Sequence, residues 1–262
     1  MKKDITIIIT LYKTPIKKLK ALNQYRNFKV IIFAQEADKN YQKILKKNSI
    51  IKFRYYFSKN NIGLSKATNY LISKVKTKYF LFTQADILID EESIKYLKSG
   101  FKHRNDLIFV GPSFKNKRKK GFQIKNKLNA ACMMCDTKKT NKIGFFDEDF
   151  FLYWEDIFLM RKINLSKFKM LQLHKAIAKH TFGESSINNT KVNFLRNLNF
   201  KYGEYLFDLK TENFRFLKLV RQLLQNLIIF PISCLILKKN VAIKNIACVL
   251  GIIKFIIFCL KK

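Results

Sequence analysis

Residues 5–11 read ITIIITL, a run of apolar and β-branched residues close to the start of the chain. Such a run is typical of a strand that is buried on both faces, as strands of parallel sheets are. The dipeptide Thr14-Pro15 follows and predicts a helix, with Thr14 as its N-cap and Pro15 at the first helical position. Segments 30–33 and 51–57 have the composition of further strands. Strands that alternate with helices at these lengths favour a mostly parallel sheet.

The alternation continues towards the middle of the chain. Apolar residues at helical spacing follow a turn at 60–63, and they are Leu64, Ala67, Leu71 and Val75. Segment 79–83 predicts another strand, Asp90 the N-cap of a helix, and 107–110 a strand that ends before Gly111-Pro112. In an open sheet of this kind, ligands bind at the carboxyl ends of the strands. The predicted ligand-binding segments are therefore 10–12, 34–36, 60–63 and 84–86.

Composition limits the class of protein. The chain has 262 residues, 48% of them apolar and 27% charged, which is globular composition and excludes a disordered or collagen-like chain. Lys and Arg number 52 against 18 Asp and Glu, a net charge of +34 that indicates an anionic partner such as nucleic acid, acidic lipid or a phosphorylated ligand. Lys, Asn, Ile and Phe are abundant together, so part of this charge reflects a general compositional bias.

The start of the chain and its cysteines indicate a cytosolic environment. We find no secretory signal peptide in the first residues, and we expect the five cysteines to be reduced. Cys132 and Cys135 form a single CxxC pair without the second pair or the histidines that a zinc site needs. We therefore expect both to be buried free thiols.

Two other segments are strongly basic or apolar. Segment 114–127 is predicted to be a basic loop, either solvated or acting as a flap that attracts phosphate groups. Segments 226–237 and 246–260 are apolar and flanked by lysines, and each is shorter than the roughly 20 residues that span a bilayer. This pattern suits helices that lie in the interface of an acidic membrane leaflet. The alternative is a helical hairpin packed on the domain.

Three groups of residues have the chemistry of an active site. Asp86 directly follows a predicted strand, where its oxygens could hold Mg²⁺ or Mn²⁺, although a turn or capping role is the alternative. Segment 144–156 interleaves acids with aromatic residues and ends in Glu155-Asp156, so a desolvated carboxylate there could act as a general base. Aromatic faces also stack on sugar rings, which makes Tyr153 and Trp154 candidates for binding a sugar. His180 follows a strand-like run and is a candidate ligand of a metal or a diphosphate.

This ordered set resembles the inverting glycosyltransferases of family 2, which have the GT-A fold, and it is most similar to the rhamnosyltransferase-like members that build bacterial polysaccharides. The landmarks that carry the resemblance are the opening strand with Thr10 and Tyr12, the motif at 61–69, Gln84-Ala85-Asp86 at the DxD position, and 144–156 followed by Arg161. The resemblance covers roughly residues 4–190. It implies an α/β GT-A domain over 1–190. For residues 191–262, the apolar segments and their flanking lysines predict a C-terminal basic and apolar helical extension that associates with the membrane.

The resemblance also implies roles for single residues. The expected donor-binding residues are Thr10, Tyr12, Gln35, Asn61, Gly63, Lys66, Gln84 and Asp86. Asp86 and His180 would hold Mg²⁺ or Mn²⁺, and Asp156 would be the catalytic base, with Glu155 as the second candidate. Two positions depart from the family pattern. Gln84 replaces the first acid of the DxD motif, and the second strand ends in Ala34-Gln35-Glu36 without the usual Asp, so Glu36 and Asp38 are the candidates for its role.

The predicted function is metal-dependent transfer of a sugar from a nucleotide-sugar donor to a glycan or lipid-linked acceptor, with inversion, in cell-surface polysaccharide biosynthesis. The predicted location is the cytoplasmic face of the inner membrane, as a peripheral or monotopic protein, without nucleic acid as a partner. Two alternatives remain: a basic nucleic-acid-binding protein at the membrane surface, favoured by charge alone, and a non-catalytic relative, which Gln84 keeps open. The aromatic residues cluster with acids, which would repel a nucleic-acid backbone.

Overall fold

The computed structural model describes residues 4–48, 53–114, 120–181, 186–187 and 189–261. The chain divides into two compact units. The first comprises Met1–Asp147 and Leu159–Ile187, and the second comprises Glu148–Phe158 and Asn188–Lys262.

A single sheet with helices around it forms the first unit. Its strands are β1 (Ile5–Tyr12), β2 (Lys29–Gln35), β3 (Arg54–Ser58), β4 (Tyr79–Thr83), β5 (Ile87–Ile89), β6 (Leu107–Ser113), β7 (Phe122–Lys125), β8 (Cys132–Asp136) and β9 (Lys169–His180). Their order is β3-β2-β1-β4-β8-β6-β9-β5, and β7 pairs with β9. The predicted α/β class is confirmed, with a mixed rather than mostly parallel sheet.

The mixed character arises at β8. Strands β3, β2, β1 and β4 are parallel to one another, whereas β8 is antiparallel to both of its neighbours, β4 and β6. A parallel connection needs a crossover, usually a helix, and the described residues between β6 and β8 contain none. The chain therefore returns along the sheet in the opposite direction.

Strand β1 lies at the centre of the core, as its sequence predicts. Ile5, Ile7 and Ile9 belong to the apolar cluster on one face of the sheet, and Ile8 belongs to the cluster on the other face. This alternation follows the two-residue period of a strand. The prediction that both faces of β1 are buried is confirmed.

Helices cover the sheet in the first unit and make up most of the second. They are α1 (Ile16–Leu19), α2 (Lys39–Asn48), α3 (Leu64–Ser73), α4 (Glu91–Gly100), α5 (Thr137–Ile143), α6 (Glu155–Asn164), α7 (Thr190–Lys210), α8 (Phe216–Leu235) and α9 (Lys239–Leu260). A 3₁₀ turn, Lys20–Tyr25, follows α1. Helix α6 begins in the second unit and ends in the first.

Several predicted boundaries are confirmed and others are wrong. Asp90 caps α4, because its Oδ1 accepts a hydrogen bond of 2.6 Å from the Ser93 N–H. Helix α1 begins one residue later than predicted, since Pro15 keeps an extended ψ of 140° and is itself the N-cap. Strand β6 continues through Gly111-Pro112 because pairing with β9 extends to Ser113.

The basic segment 114–127 is only partly a loop. Residues 122–125 form β7, which pairs antiparallel with β9, and Lys115, Lys117, Arg118 and Lys119 lie outside the described residues. Its four residues alternate apolar and polar, a pattern too short to predict a strand by itself, and pairing with β9 decides this element. The predicted third strand also begins later than expected, at Arg54, and residues 51–52 lie outside the described part of the chain.

The cysteine prediction is confirmed for the CxxC pair. Cys132 and Cys135 are buried, unpaired thiols on β8. Burial raises the pKa of the Cys132 thiol to about 12, so it is protonated and unreactive at neutral pH.

In the second unit, helices α7, α8 and α9 pack around an aromatic core. Its buried members are Phe150, Tyr202, Tyr205, Leu206, Leu219, Ile252 and Phe255. The prediction that both apolar C-terminal segments are too short to span a bilayer is wrong for α9. The helix has 22 residues, and an 18-residue window within it has a mean hydropathy of 2.2. Among the described residues it is the one helix long and apolar enough to cross a membrane.

Candidate active site

The carboxyl ends of β1 and β2 bring three of the predicted donor-binding residues to one edge of the sheet. Tyr12 lies opposite Gln35 in the parallel ladder, and Thr10 lies two residues before Tyr12. The next residue of each strand, Lys13 and Glu36, has a positive φ, and their side chains form an ion pair of 3.0 Å. The chain therefore turns sharply after each of these strands. Thr10 and Tyr12, both half-exposed, lie next to the turn that follows β1.

Gln35 supports the neighbouring loop. Its buried Oε1 accepts a hydrogen bond of 2.8 Å from the Ile62 N–H, and Asn61 Oδ1 accepts one of 3.0 Å from the Gly63 N–H. Gly63 has a φ of 89°, a region that favours glycine, and it is the N-cap of α3. The loop that carries the predicted residues Asn61 and Gly63 is thus held against the end of β2. Lys66, in the first turn of α3, is exposed.

Asp86 lies in the turn that joins β4 to β5. The turn is closed by the Ile87 N–H, which donates a hydrogen bond of 3.2 Å to the Gln84 carbonyl. Asp86 is only 2% exposed, and its Oδ1 has no hydrogen-bond partner among the described residues. A buried carboxylate oxygen without a partner is costly, so Asp86 Oδ1 is a candidate for contact with a ligand. Gln84, which replaces the first acid of the DxD motif, is half-buried beside it.

Strand pairing brings His180 to Asp86. Ile87 of β5 lies opposite His180 of β9 in an antiparallel ladder. As a result, His180 Nε2 lies 3.3 Å from Asp86 Oδ2. The two residues that were expected to share a metal ion therefore adjoin each other. No group of three or more His, Cys, Asp or Glu side chains with metal-binding geometry occurs in the described part of the chain.

Two residues at this site were missed by the sequence analysis. Thr181 donates hydrogen bonds from its N–H and its hydroxyl to the Asp86 carbonyl, at 3.0 and 3.2 Å. Lys18 Nζ donates to Thr181 Oγ1 at 3.3 Å and so adds a positive charge at the Asp86 turn. The signal for Lys18 was a basic residue in the short helix that follows the carboxyl end of β1.

The two acids considered as replacements at the end of β2 have local roles. Glu36 is in the ion pair with Lys13. Asp38 Oδ1 accepts a hydrogen bond of 2.7 Å from the Tyr41 N–H and thereby caps the start of α2. Both side chains are thus already used in stabilising the turn after β2.

In the second unit, Glu155 and Asp156 begin α6 in different environments. Glu155 is buried, and its Oε2 has no hydrogen-bond partner among the described residues. Burial, with a smaller contribution from the negative charge of Asp156, raises the pKa of Glu155 to about 8. Asp156 is half-buried, and its Oδ1 accepts a hydrogen bond of 2.8 Å from the Ile157 N–H.

Tyr153 and Trp154 precede these acids in an unusual backbone conformation. Both have a positive φ, 68° and 69°, which is rare for aromatic residues and is often found at functional sites. Trp154 Nε1 donates a hydrogen bond of 3.0 Å to the Phe200 carbonyl of α7, and its ring packs on Phe207 with centroids 5.3 Å apart. The Tyr153 ring lies 5.8 Å from the Phe200 ring. Helix α7 thus holds both rings, which keeps the backbone before Glu155 in place.

Asp86 and His180 belong to the first unit, whereas Tyr153, Trp154, Glu155 and Asp156 belong to the second. The structure joins the predicted residues into two groups. The donor-side group is defined by Thr10, Tyr12, Gln35, Asn61, Gly63, Gln84, Asp86 and His180, and the acid group by Glu155 and Asp156.

Comparisons with known proteins agree with this fold. Residues 16–172 match the family model described as glycosyl transferase family 2. A comparison with curated protein sequences finds no match. The mannosyltransferase PcManGT from Pyrobaculum calidifontis, solved with GDP-Man and Mn2+, is similar in structure, with a TM-score of 0.59 and 10% identity over 98% of this chain and 88% of that one. TarS 1-349 of S. aureus has a TM-score of 0.50 and 16% identity over 78% of this chain and 70% of that one. The described fold is thus that of GT-A proteins.

Proposed function

The chain belongs to glycosyl transferase family 2, and from this membership we propose that it transfers a sugar from a nucleotide-sugar donor to a glycan or lipid-linked acceptor, with inversion. We place the reaction in the synthesis of a cell-surface polysaccharide, with a rhamnosyltransferase-like specificity that rests on the sequence resemblance alone. The observation that carries the proposal is the Asp86–His180 pair at the carboxyl ends of the parallel strands. Asp86 Oδ1 is buried without a hydrogen-bond partner among the described residues, and a bound ligand would satisfy it.

A divalent cation fits the donor-side group. Asp86 and His180 supply one carboxylate and one imidazole, and Mg²⁺ or Mn²⁺ completes such partial sets with water and substrate phosphates. The similar mannosyltransferase was solved with Mn2+ and GDP-Man, which supports the same class of ion and donor here. When bound, the ion would stabilise negative charge on the departing nucleoside diphosphate.

The chain's own residues supply the remaining roles. The half-exposed Thr10 and Tyr12 border the nucleoside, while Gln35 holds the loop of Asn61 and Gly63 in position. Lys18 and Lys66 add positive charge for the diphosphate, and Gln84 offers an amide for hydrogen bonding. Tyr153 and Trp154 offer aromatic faces to the acceptor sugar.

Asp156 is the proposed catalytic base. It takes the proton from the acceptor hydroxyl while that oxygen attacks the anomeric carbon, and the bond from that carbon to the diphosphate oxygen breaks on the opposite face. The anomeric centre is therefore inverted. Glu155 is less suited, because a pKa of about 8 keeps its carboxyl group protonated at neutral pH.

We also propose that the protein works at the cytoplasmic face of the membrane, where lipid-linked acceptors are found. The supporting observation is the apolar helix α9, together with large exposed apolar residues on α8. Basic residues flank both helices, and they suit an acidic leaflet.

The test is a thermal-shift panel of nucleoside diphosphates and nucleotide sugars, with and without Mn²⁺ or Mg²⁺, because a ligand of the native state raises its apparent stability. We expect one nucleotide class to raise the melting temperature only with the cation, and Asp86→Asn to remove that cation dependence. Asp106→Asn is the matched control, since Asp106 directly precedes β6 and so lies at the amino end of that strand, away from the carboxyl ends where Asp86 lies. Absence of any nucleotide effect, with tight binding of DNA or RNA, would replace the proposal by the nucleic-acid alternative.

A cation-dependent shift without catalysis would favour the non-catalytic alternative. Donor hydrolysis by the purified protein with Mn²⁺ separates the two, since a transferase slowly passes its sugar to water. We expect hydrolysis in the wild type.

A further inference from the structure

The hairpin of α8 and α9 presents an extended apolar surface. We call it the hairpin surface, and its exposed members are Leu224, Leu227, Ile228, Ile232, Leu235, Ile236, Leu237, Val241, Leu250, Ile253, Ile256, Ile257 and Leu260. At the tip, Leu235 is 83% and Leu237 is 89% exposed. A soluble monomer rarely exposes so many large apolar side chains on two consecutive helices, and these therefore mark an interaction site.

Basic residues stand at both ends of the hairpin surface. At the tip they are Lys238, Lys239 and Lys244, all exposed. At the other end, Arg215 and Arg221 line a cavity of about 520 Å³ together with Phe216, Leu217 and Lys218, and the charge of Lys218 is already paired with carboxylates of α7. The end of α9, with Lys261, returns towards this second end, because the Phe255 and Phe214 rings lie 5.5 Å apart. An apolar centre with basic ends matches the acyl chains and anionic headgroups of a bilayer surface.

The opposite side of α9 is committed to α7. A Cβ atom on Gly251 would lie only 2.5 Å from the Leu198 carbonyl oxygen, so the two helix backbones are in close contact. Lys254 Nζ donates a hydrogen bond of 3.0 Å to Asn199 Oδ1 and lies 4.3 Å from the centre of the Tyr202 ring. The charge of Lys254 is thus turned inwards, away from the hairpin surface.

Helix α7 itself is polar next to this contact. Lys201 pairs with Glu204 at 2.6 Å, and Lys218 of α8 pairs with both Glu204 and Asp208 at 2.8 Å. If α9 crossed a bilayer, α7 and these ion pairs would enter the hydrocarbon core with it, where charged groups are very costly. Length gives the same answer for α8, because its uninterrupted apolar part, residues 227–235, extends only about 14 Å against a hydrocarbon core of about 30 Å.

We propose that the α8–α9 hairpin is an in-plane anchor. Its hairpin surface lies in the interface of an anionic phospholipid leaflet, with α9 parallel to the membrane although it is long and apolar enough to cross it. The basic ends contact the headgroups, and the leucines of the tip enter the acyl region. The inference deepens the membrane association proposed above and does not depend on the transferase chemistry.

The first experiment measures flotation of the full chain with vesicles of phosphatidylcholine alone or mixed with phosphatidylglycerol. We expect binding to the mixed vesicles to be at least about tenfold stronger. The pair Leu235→Asp and Leu237→Asp should lower it by about tenfold or more, while the exposed Leu165→Asp in the first unit should not. Likewise Lys239→Gln with Lys244→Gln should weaken binding, unlike Lys76→Gln with Lys102→Gln elsewhere on the surface.

Adding soluble glycerophosphate separates a leaflet from a free phosphate compound. Displacement of the protein by this compound alone would show that a phosphate site, not a bilayer surface, is bound. Equal binding to both vesicle types, or to none, would also overturn the proposal.

The second experiment distinguishes an in-plane helix from a spanning one. Lys239→Cys and Lys261→Cys are placed at the two ends of α9, each in a background with Cys234→Ser and Cys259→Ser, because those two thiols are exposed. A membrane-impermeant thiol reagent is added outside vesicles that already carry the protein. We expect both ends to be labelled to the same extent with and without detergent. Protection of one end until detergent is added would show that α9 spans the bilayer, while leaving the proposed transferase intact.

Discussion

At the scale of single residues, the acid pair at the start of α6 shows how position sets the chemistry of two adjacent carboxyl groups. Glu155 is buried, and Asp156 is half-buried with a backbone N–H on its Oδ1. The sequence indicated that one of them would serve as a base, but it could not distinguish their environments. Burial favours the neutral form of Glu155 and leaves Asp156 as the candidate for proton transfer.

The first prediction concerns Asp156. Asp156→Asn should reduce sugar transfer by about 10²–10⁴-fold, because a positioned base contributes that much. Donor binding, measured by thermal shift, should be unchanged. Glu148→Gln, at an exposed acid of the same segment, is the control and should retain activity. If Asp156→Asn kept full transfer activity and Glu155→Gln lost it, Glu155 and not Asp156 would be the catalytic base.

The second prediction concerns pH and Glu155. The pKa of Glu155 is raised from 4.5 to about 8 in the folded chain. Between pH 4.5 and about 8, the native state therefore holds a proton on Glu155 that the unfolded state has lost. The wild type should therefore lose stability as the pH rises through this range, by on the order of a few kcal/mol. Glu155→Gln has no proton to release, and its free energy of unfolding should change less over the same range. Parallel pH profiles in denaturant unfolding would contradict this.

The third prediction concerns Lys18, which reaches the Asp86 turn through Thr181. If the donor diphosphate lies there, Lys18→Met should weaken nucleoside diphosphate binding by about tenfold, the usual loss for one charge-assisted hydrogen bond. Lys17→Met, at the exposed neighbouring lysine, is the matched control. Titration calorimetry that gives the two variants equal affinities would remove Lys18 from the site.

At the scale of elements, strand pairing places the donor-side group. The sequence identified Asp86 and His180 separately, and the family resemblance assigned both to a metal. Their contact exists because β5 and β9 pair with Ile87 opposite His180. The mixed direction of β8 and the short β7 were not predictable from local periodicity, since both depend on which edge of the sheet is available.

The fourth prediction tests helix packing at Gly251. Gly251→Ala gains helix propensity of about 1 kcal/mol, but its Cβ would meet the Leu198 carbonyl and the Tyr202 backbone nitrogen, at 2.5 and 3.2 Å. Backbone atoms cannot turn aside as a flexible side chain can, so the clash should outweigh the gain and lower the free energy of unfolding by about 1–3 kcal/mol. Lys244→Ala, at an exposed position of the same helix, is the control. An equally stable Gly251→Ala variant would show that α7 and α9 are further apart.

At the scale of the whole molecule, the net charge of +34 acts over the surface, whereas the apolar hairpin surface acts only in contact. The fifth prediction separates the two effects. Raising salt to about 1 M shortens the screening length to about 3 Å and should weaken binding to anionic vesicles without abolishing it. The remaining binding should disappear in the Leu235→Asp and Leu237→Asp variant. Complete release of the wild type by salt would mean that charge alone holds it, as in non-specific nucleic-acid binding.

The sequence by itself determined the elements whose signals are local. The apolar run of β1, the Asp90 cap of α4 and the burial of Cys132 and Cys135 all follow from residue type and spacing over a few positions. Tertiary structure decided which residues distant in sequence are in contact. The contact of Lys18 with Thr181 joins residues 163 positions apart, and the raised pKa of Glu155 needs the surroundings that bury it. The physical reason is that periodicity sets only the conformation of a segment, while strand register and helix packing decide which segments meet.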